Sequence, residues 1–348
     1  MESPAPLPEF APLAQTSDPQ VFAAAVAAAA QAPLVLRSAV DHWPLVTASL
    51  DGISGAAAYL QPRYSGEPVY TIVGAPEIRG QFRFREDFSG LNYQARQTSL
   101  LEVLQHLAQQ ADPDGFAIAV QSAPLRQIVQ DWDAEHRMPF APAGIAPTLW
   151  LNNRARVAPH SDIHDNVACV VAGARRFTLF PPEQIDNLYI APLRGAPGGV
   201  PISAANLWEP DLERHPRFAE ALAAATAATL NPGDAIFIPA LWWHAVESLA
   251  SFNLLVNYWW GGVGTAGLSP AHALSHAVLA ISALPAALRA RWASYFAHLV
   301  FRASGEPGAH LPEHTADLLT VPSRDQVRDT LREISAALER AGDGLDDG

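Results

Sequence analysis

Short apolar runs separated by turn residues fill the centre of the chain, from Thr148 to Trp260. The breaks are Gly173-Ala174, Pro181-Pro182 and Asn231-Pro232-Gly233-Asp234, which are residues typical of turns. Many short strands at this spacing predict a β-sandwich or jelly roll. We expect strands over residues 148–151, 167–172, 176–180, 235–239, 243–248 and 252–259, and a helical insert over about 211–228.

Helical patterns precede and follow this region. Ser17-Asp18-Pro19-Gln20 predicts a capping box that opens a helix ending before Pro33, and Ser99-Leu100-Leu101-Glu102 predicts a second one, with its helix running to about Gln109. Buried strands are expected at residues 34–37 and 116–121, and C-terminal helices near 271–283, 286–302 and 324–340. The chain is therefore predicted to be mainly β with flanking α, with one domain over residues 1–267 and a C-terminal helical region over 268–348.

Composition narrows the class of protein. The 348 residues are 49% hydrophobic and 16% charged, which suffices for a folded core. No apolar run approaches the roughly 20 residues that span a bilayer, and the N-terminus lacks the pattern of a secretory signal. Cys169 is the single cysteine, which rules out an intrachain disulfide and argues against a thiolate metal site. We expect a cytoplasmic protein.

Charge argues against one class of partner. The net charge is −13, from 22 basic and 35 acidic residues. A nucleic-acid surface needs a basic stripe that offsets the phosphate charge. The chain offers only short basic clusters, such as Arg175-Arg176. We expect neither a nucleic acid nor a membrane as its partner.

The spacing of two histidines and one aspartate is typical of a metal site. His160 and Asp162 stand two residues apart, where strand side chains share a face, and His244 follows in a later strand. Two imidazoles and one carboxylate can hold Fe(II) on one face and leave positions open for a cosubstrate and dioxygen. His164 lies on the same face if the strand continues, so Asp162 and His164 are an alternative pair of ligands.

Further segments around these histidines occur together in one family. They are Asn166, Gly173-Ala174-Arg175-Arg176-Phe177-Thr178-Leu179-Phe180-Pro181-Pro182, Asn231 to Pro239, Trp242-Trp243-His244 and Asn257-Tyr258-Trp259-Trp260, with Ala32 to Arg37 and Asp41-His42-Trp43-Pro44 before them. Over roughly residues 30–262 the chain resembles the cupin-like, JmjC-related family of Fe(II)- and 2-oxoglutarate-dependent oxygenases. This family includes the asparaginyl hydroxylase of the hypoxia-inducible factor. The resemblance implies a cupin-type double-stranded β-helix, the jelly roll of this family.

The resemblance also implies a role for each matching residue. His160, Asp162 and His244 correspond to the metal ligands, which serve as the catalytic centre. Arg175 corresponds to the cation that grips the far carboxylate of 2-oxoglutarate through paired hydrogen bonds. An alternative is that Arg175 pairs with a surface carboxylate.

Four more residues are placed around that centre. Asn166 and Asn257 correspond to amides on the cosubstrate side. His164 corresponds to a position at the site entrance, and Gln121 is a candidate substrate contact.

Two positions depart from the family pattern. Relatives often have threonine where this chain has Val157, and tyrosine where it has Ala119. Both hydroxyls would help to bind the far carboxylate of 2-oxoglutarate. Thr178 and Tyr258 are candidate replacements.

The favoured hypothesis is an Fe(II)- and 2-oxoglutarate-dependent hydroxylase of a protein side chain or a small molecule. A non-catalytic metal- or metabolite-binding sensor is the alternative, and an oligomeric scaffold is a third. The family resemblance further implies a homodimer formed through the C-terminal helices.

Overall fold

The computed structural model describes residues 9–28, 32–110, 115–264 and 267–346. The chain divides into two compact units, Met1–Gly262 and Val263–Gly348. The two units meet at residues 262 and 263, and the expected domain boundary at residue 267 stays a prediction.

Two sheets make up the first unit. The smaller sheet contains six strands: β1 (Ala11–Pro12), β5 (Gln81–Phe82), β9 (Arg156–Ser161), β11 (Arg175–Phe180), β12 (Thr226–Leu230) and β14 (Trp243–Ser248). The larger contains nine: β2 (Gln15–Thr16), β3 (Leu34–Leu36), β4 (Val69–Gly74), β6 (Gln94–Thr98), β7 (Ala117–Pro124), β8 (Pro147–Asn152), β10 (Asp165–Ala172), β13 (Ala235–Ile238) and β15 (Asn253–Trp260).

The strands from β8 onwards form the double-stranded β-helix. Strands β8, β10, β13 and β15 belong to the larger sheet, and β9, β11, β12 and β14 to the smaller one, so the chain passes repeatedly between the two sheets. The order is β2-β3-β13-β10-β15-β8-β7-β4-β6 in the larger sheet and β1-β12-β11-β14-β9-β5 in the smaller one. The predicted fold, mainly β with flanking α in a jelly roll, is confirmed.

Apolar side chains fill both faces of the larger sheet. One buried cluster joins residues of both sheets, such as Ala168 and Ile236 with Phe177 and Val246, and therefore lies between them. A second cluster packs the other face of the larger sheet against the N-terminal helices and includes Trp43. Because a strand buried on both faces must be apolar throughout, β10 reads as the continuous run Val167–Ala172 rather than as an alternating pattern.

Helices pack against the two sheets and connect the strands. They are α1 (Pro19–Ala27), α2 (Pro44–Ser49), α3 (Gly52–Leu60), α4 (Leu100–Gln109), α5 (Leu125–Ile128), α6 (Trp132–Glu135) and α7 (Phe218–Ala224). Short 3-10 helices lie at Gln61–Arg63, Pro76–Ile78, Pro182–Asn187 and Pro197–Gly199.

Two local predictions need correction. Asp18, not Ser17, caps α1, because its side chain accepts the Gln20 amide at 2.8 Å. The helical insert is shorter than expected, since helix α7 ends at Ala224 and β12 follows at once. The alanines of β12 favour a helix, but its backbone pairs with β11, and this tertiary pairing overrides helix propensity.

Helices make up the second unit: α8 (Pro270–Ile281), α9 (Ala286–Leu299) and α10 (Arg324–Asp346). Neither α8 nor α9 contains a buried residue. Large apolar side chains are instead exposed along both helices: Leu274, Val278, Leu279, Leu288, Trp292, Tyr295 and Leu299. No helix in the described ranges is long and apolar enough to cross a bilayer.

Candidate metal centre and cosubstrate pocket

Two neighbouring strands bring the predicted ligands together. His160 on β9 and His244 on β14 are cross-strand partners, and their ring centroids lie 4.1 Å apart. Asp162 follows the end of β9, with its Oδ2 3.8 Å from His244 Nε2. One ligand atom from each of these three residues lies within 4.8 Å of the others. This is the donor set of a 2-His-1-carboxylate iron site.

A β-bulge aims His160 at the interior. His244 is opposite His160 and Val246 is opposite Val157, so β9 carries one more residue than β14 between these pairs. Side chains alternate along a regular strand, which would put Val157 and His160 on opposite faces. The extra residue reverses the alternation, so that Val157 packs into the inter-sheet cluster while His160 also faces inward.

Backbone carbonyls hold both imidazoles in one tautomer. Ala158 O lies 2.9 Å from His160 Nδ1, and Trp242 O lies 3.2 Å from His244 Nδ1. A carbonyl can only accept, so each Nδ1 carries the proton and each Nε2 keeps its lone pair for a metal. Burial, with a smaller contribution from His160, lowers the pKa of His244 to about 4, although Asp162 opposes the shift. The ring is therefore neutral and able to ligate at neutral pH.

His164 lies in the turn after β9 and faces another element. A Cβ at Gly262 would lie 2.8 Å from His164 Cδ2, so the imidazole packs against the backbone that follows β15. Among the described residues, the clustered ligand atoms come from His160, Asp162 and His244 and exclude His164. The pairing of Asp162 with His164 is not formed, and a role for His164 at the entrance stays a prediction.

Arg175 is a buried cation without a carboxylate partner in the described part of the chain. It is 3% exposed, and its Nε has no hydrogen-bond acceptor. Burial alone lowers its pKa to about 9, and no nearby carboxylate offsets the shift. The alternative of a surface ion pair is therefore not realised. An uncompensated guanidinium inside a protein is costly, and an anionic ligand would relieve that cost.

The predicted amides also face the interior. Asn166 is opposite Trp259 in the β10–β15 ladder, and both Asn166 Oδ1 and Trp259 Nε1 are buried without a hydrogen-bond partner among the described residues. Asn257 Oδ1 accepts the indole N–H of Trp150 at 2.6 Å. Because buried polar groups are nearly always paired, these open donors and acceptors fit a polar ligand between the sheets.

The remaining candidate residues lie on different faces of their sheets. Gln121 is half-buried where the β7–β8 ladder shifts register, and its contact with a substrate stays a prediction. Thr178 is opposite Ala245, which packs on the outer face of the smaller sheet. Tyr258 packs in the cluster beneath the N-terminal helices. Neither of these two hydroxyls shares the face of Arg175, so the two proposed replacements are wrong.

Sequence reasoning missed two polar residues beside Arg175. Ser248 is its cross-strand partner on β14, and Asn152 approaches it from the larger sheet. Asn152 directly follows the apolar run of β8, and an amide at such a buried position needs partners. An amide at the end of a buried apolar strand was the signal in the sequence that could have revealed Asn152.

Comparison with known proteins identifies the family. Residues 19–265 match the model of the cupin-like domain. The chain belongs to the cupin-like domain family. This confirms the resemblance drawn from the sequence motifs, and membership supports an oxygenase-type function in general terms.

Individual relatives match over part of their length. The cupin-like chain is 38% identical over 113 residues to "Lysine-specific demethylase JMJ31" of Arabidopsis thaliana, covering 32% of this chain and 20% of that protein. It is 36% identical over 118 residues to human "HSPB1-associated protein 1", covering 33% and 24%. It is 28% identical over 194 residues to "tRNA wybutosine-synthesizing protein 5" of Danio rerio, covering 51% and 56%. These matches span about half or less of the relatives' own lengths.

Proposed function

We propose that the protein is an Fe(II)- and 2-oxoglutarate-dependent dioxygenase that hydroxylates a protein side chain or a small molecule. The observation that carries this proposal is the placement of three ligand atoms within 4.8 Å of one another in the same jelly roll as a buried guanidinium that has no carboxylate partner among the described residues. A metal site without that cation would suit many cupins. The Arg175 guanidinium favours a cosubstrate that carries a carboxylate.

Each residue has a defined task in this proposal. His160, Asp162 and His244 would hold the metal. Arg175 binds the far carboxylate of the cosubstrate, and the amides of Asn166 and Asn257 orient the end nearer the metal. Iron with 2-oxoglutarate supplies the oxidising chemistry when bound, and the protein supplies ligand geometry and a cavity shielded from water.

The substrate class follows from charge. A net charge of −13 disfavours a phosphate backbone and is compatible with a basic protein segment or a small molecule. A non-catalytic sensor that binds metal and a metabolite is the second candidate, favoured by the apolar Val157 and Ala119 where relatives carry hydroxyls.

Coupled measurements test the proposal. Full-length protein is given Fe(II), 2-oxoglutarate and dioxygen, and both bound iron and released succinate are measured. We expect one iron per chain and succinate above the background of His160→Ala. His164→Ala, the matched control, should retain iron. Iron and 2-oxoglutarate binding without succinate, even across a panel of candidate substrates, would favour the sensor, and no metal binding would refute both.

A further inference from the structure

Two further buried polar residues, Asn152 and Ser248, lie beside Arg175. Arg175, Asn152 and Ser248 are 3%, 5% and 6% exposed, so water does not satisfy them freely. They come from three strands, β11, β8 and β14, and meet between the two sheets. Three buried polar groups that meet in one place must find hydrogen-bond partners there.

Hydrogen bonding fixes the orientation of the Asn152 amide. With its nitrogen directed at Ser248 Oγ (2.7 Å) and Asn153 O (2.6 Å), its oxygen accepts from Arg175 Nη2 at 3.1 Å. In the opposite orientation the oxygen would face the Asn153 carbonyl and the nitrogen would face the guanidinium. The favourable orientation is therefore the one in which Asn152 holds Arg175.

This orientation leaves two donors without acceptors. Ser248 Oγ accepts from the Asn152 amide, so its hydroxyl proton remains to be donated. Arg175 Nε also lacks an acceptor among the described residues. A hydroxyl and a guanidinium N–H beside each other, without an internal carboxylate, are suited to binding an external one.

The position of Asn152 accounts for the departure at position 119. Ala119 is the cross-strand partner of Asn152, so the two side chains share a face at a Cβ separation of about 5 Å. A tyrosine at position 119 would reach into the space that Asn152 occupies. Val157 lines the inter-sheet cluster and offers no hydrogen bond.

We propose that Asn152 and Ser248 replace the absent hydroxyls: Asn152 positions the Arg175 guanidinium, and Ser248 Oγ and Arg175 Nε donate to the far carboxylate of a dicarboxylic 2-oxo acid. This inference rests on the proposed function. Arg175 lies four residues along β11 from Leu179, the residue opposite His244. That separation is roughly 13 Å along the strand, which side chains at both ends shorten to the reach of a small diacid.

Two acids separate this role from a general effect on the pocket. 2-Oxoglutarate carries the far carboxylate, whereas pyruvate has the same 2-oxo acid end without it. Both are titrated calorimetrically, without oxygen, into full-length protein loaded with Mn(II). We expect Ser248→Ala and Asn152→Ala each to weaken 2-oxoglutarate binding about tenfold, the scale of one lost hydrogen bond to a charged group, with pyruvate affinity unchanged.

Further variants sharpen the test. Asn152→Asp puts a carboxylate against Arg175 and should weaken 2-oxoglutarate binding by about a hundredfold. Ser248→Thr keeps the hydroxyl and should retain most of the affinity. Thr178→Val removes a hydroxyl from the opposite face of β11 and should change nothing. Unfolding temperatures establish that each variant is folded before it is titrated.

The possible failures are distinguishable. If the native protein binds 2-oxoglutarate and Ser248→Ala and Asn152→Asp bind it equally well, the inference is overturned while the proposed function stands. Equal losses for pyruvate and 2-oxoglutarate would assign these residues a structural role and also overturn it. If the Mn(II)-loaded native protein binds neither acid, the proposed function fails along with the inference.

Discussion

Trp150 donates its indole N–H to the side-chain oxygen of Asn257 across 2.6 Å. An indole nitrogen can only donate, so this contact determines which end of the amide faces Trp150. The amide nitrogen of Asn257 is thereby left as a donor for the pocket. If the protein has the proposed function, Trp150 positions the Asn257 amide for the cosubstrate.

Trp150→Phe tests this role. Phenylalanine keeps the aromatic packing but cannot hold the amide, so we expect 2-oxoglutarate affinity to fall about fivefold to tenfold, the scale of one net hydrogen bond. Metal affinity should not change. Trp260→Phe is the matched control, because Trp260 stacks on Phe237 on the other face of β15. Calorimetric titration of both variants gives the comparison, and equal losses would contradict a specific role for Trp150.

The backbone at Gly262 packs closely against residues 163 and 164, which directly follow Asp162. It has a φ of +72°, and a Cβ there would lie 2.8 Å from both Ile163 O and His164 Cδ2. Gly261 has nearly the same φ, +71°, but its nearest neighbour would be 4.0 Å away. Gly261→Ala should therefore cost only the backbone strain, about 1 kcal/mol of unfolding free energy. Gly262→Ala should cost more and should weaken metal binding by displacing the 163–164 segment. Denaturant unfolding and metal titration measure both effects, and identical behaviour of the two variants would refute the steric argument.

His136 makes the fold sensitive to acid. Its ring stacks on Trp132 at 3.8 Å, its Nδ1 contacts Trp132 O, and its Nε2 is buried without a partner among the described residues. Burial lowers its pKa to about 4 from the ordinary 6.5, against the opposing effect of the Trp132 carbonyl. Below pH 6.5 this histidine is therefore protonated in the unfolded chain, whereas in the folded chain it stays neutral until the pH approaches 4. Stability should fall between pH 6.5 and 4 by about 3 kcal/mol from this group.

Urea unfolding of the native protein and His136→Phe across that range isolates the effect of this histidine. The variant keeps a flat ring on Trp132 but cannot titrate, so its stability should fall less steeply with acid. Parallel pH profiles for the two proteins would contradict the prediction.

Exposed apolar residues on α8 and α9 predict self-association. Leu279 on α8 is 82% exposed, and Tyr295 on α9 is 61% exposed. Apolar side chains at such density on neighbouring helices are typical of an interface. We expect a homodimer, with Leu279→Glu shifting it to monomer in light scattering after gel filtration. Val321→Glu, at an equally exposed position outside the helices, is the control, and an unchanged mass for Leu279→Glu would oppose this interface.

Six of the eight jelly-roll strands were predictable because each satisfies a local pattern, whereas the alanine-rich β12 does not. All six predicted central strands are present within about two residues of their expected ends, since apolar runs bounded by glycine and proline record strand burial directly. The two-residue strands β1, β2 and β5 were not predictable. They exist only because distant backbone pairs with them, for example Gln81 with Arg156.

The candidate site was likewise predictable only in part. His160, Asp162 and His244 stand out because their residue types and spacing match a known ligand set. Asn152 and Ser248 meet across 96 positions of sequence. Such a contact depends on how one sheet stacks on the other, and no short segment of sequence records that. The candidate replacements Thr178 and Tyr258 failed for this reason, because a hydroxyl is useful only on the correct face.

The bulge in β9 makes the metal centre depend on the length of one short segment. His160 lies three positions after Val157, an odd step that puts both side chains on one face only because the ladder takes in one extra residue there. Losing a single residue between them would keep every metal ligand in the sequence yet turn the first imidazole out of the barrel. The length of this short segment therefore matters to the metal centre as much as the identity of its ligands.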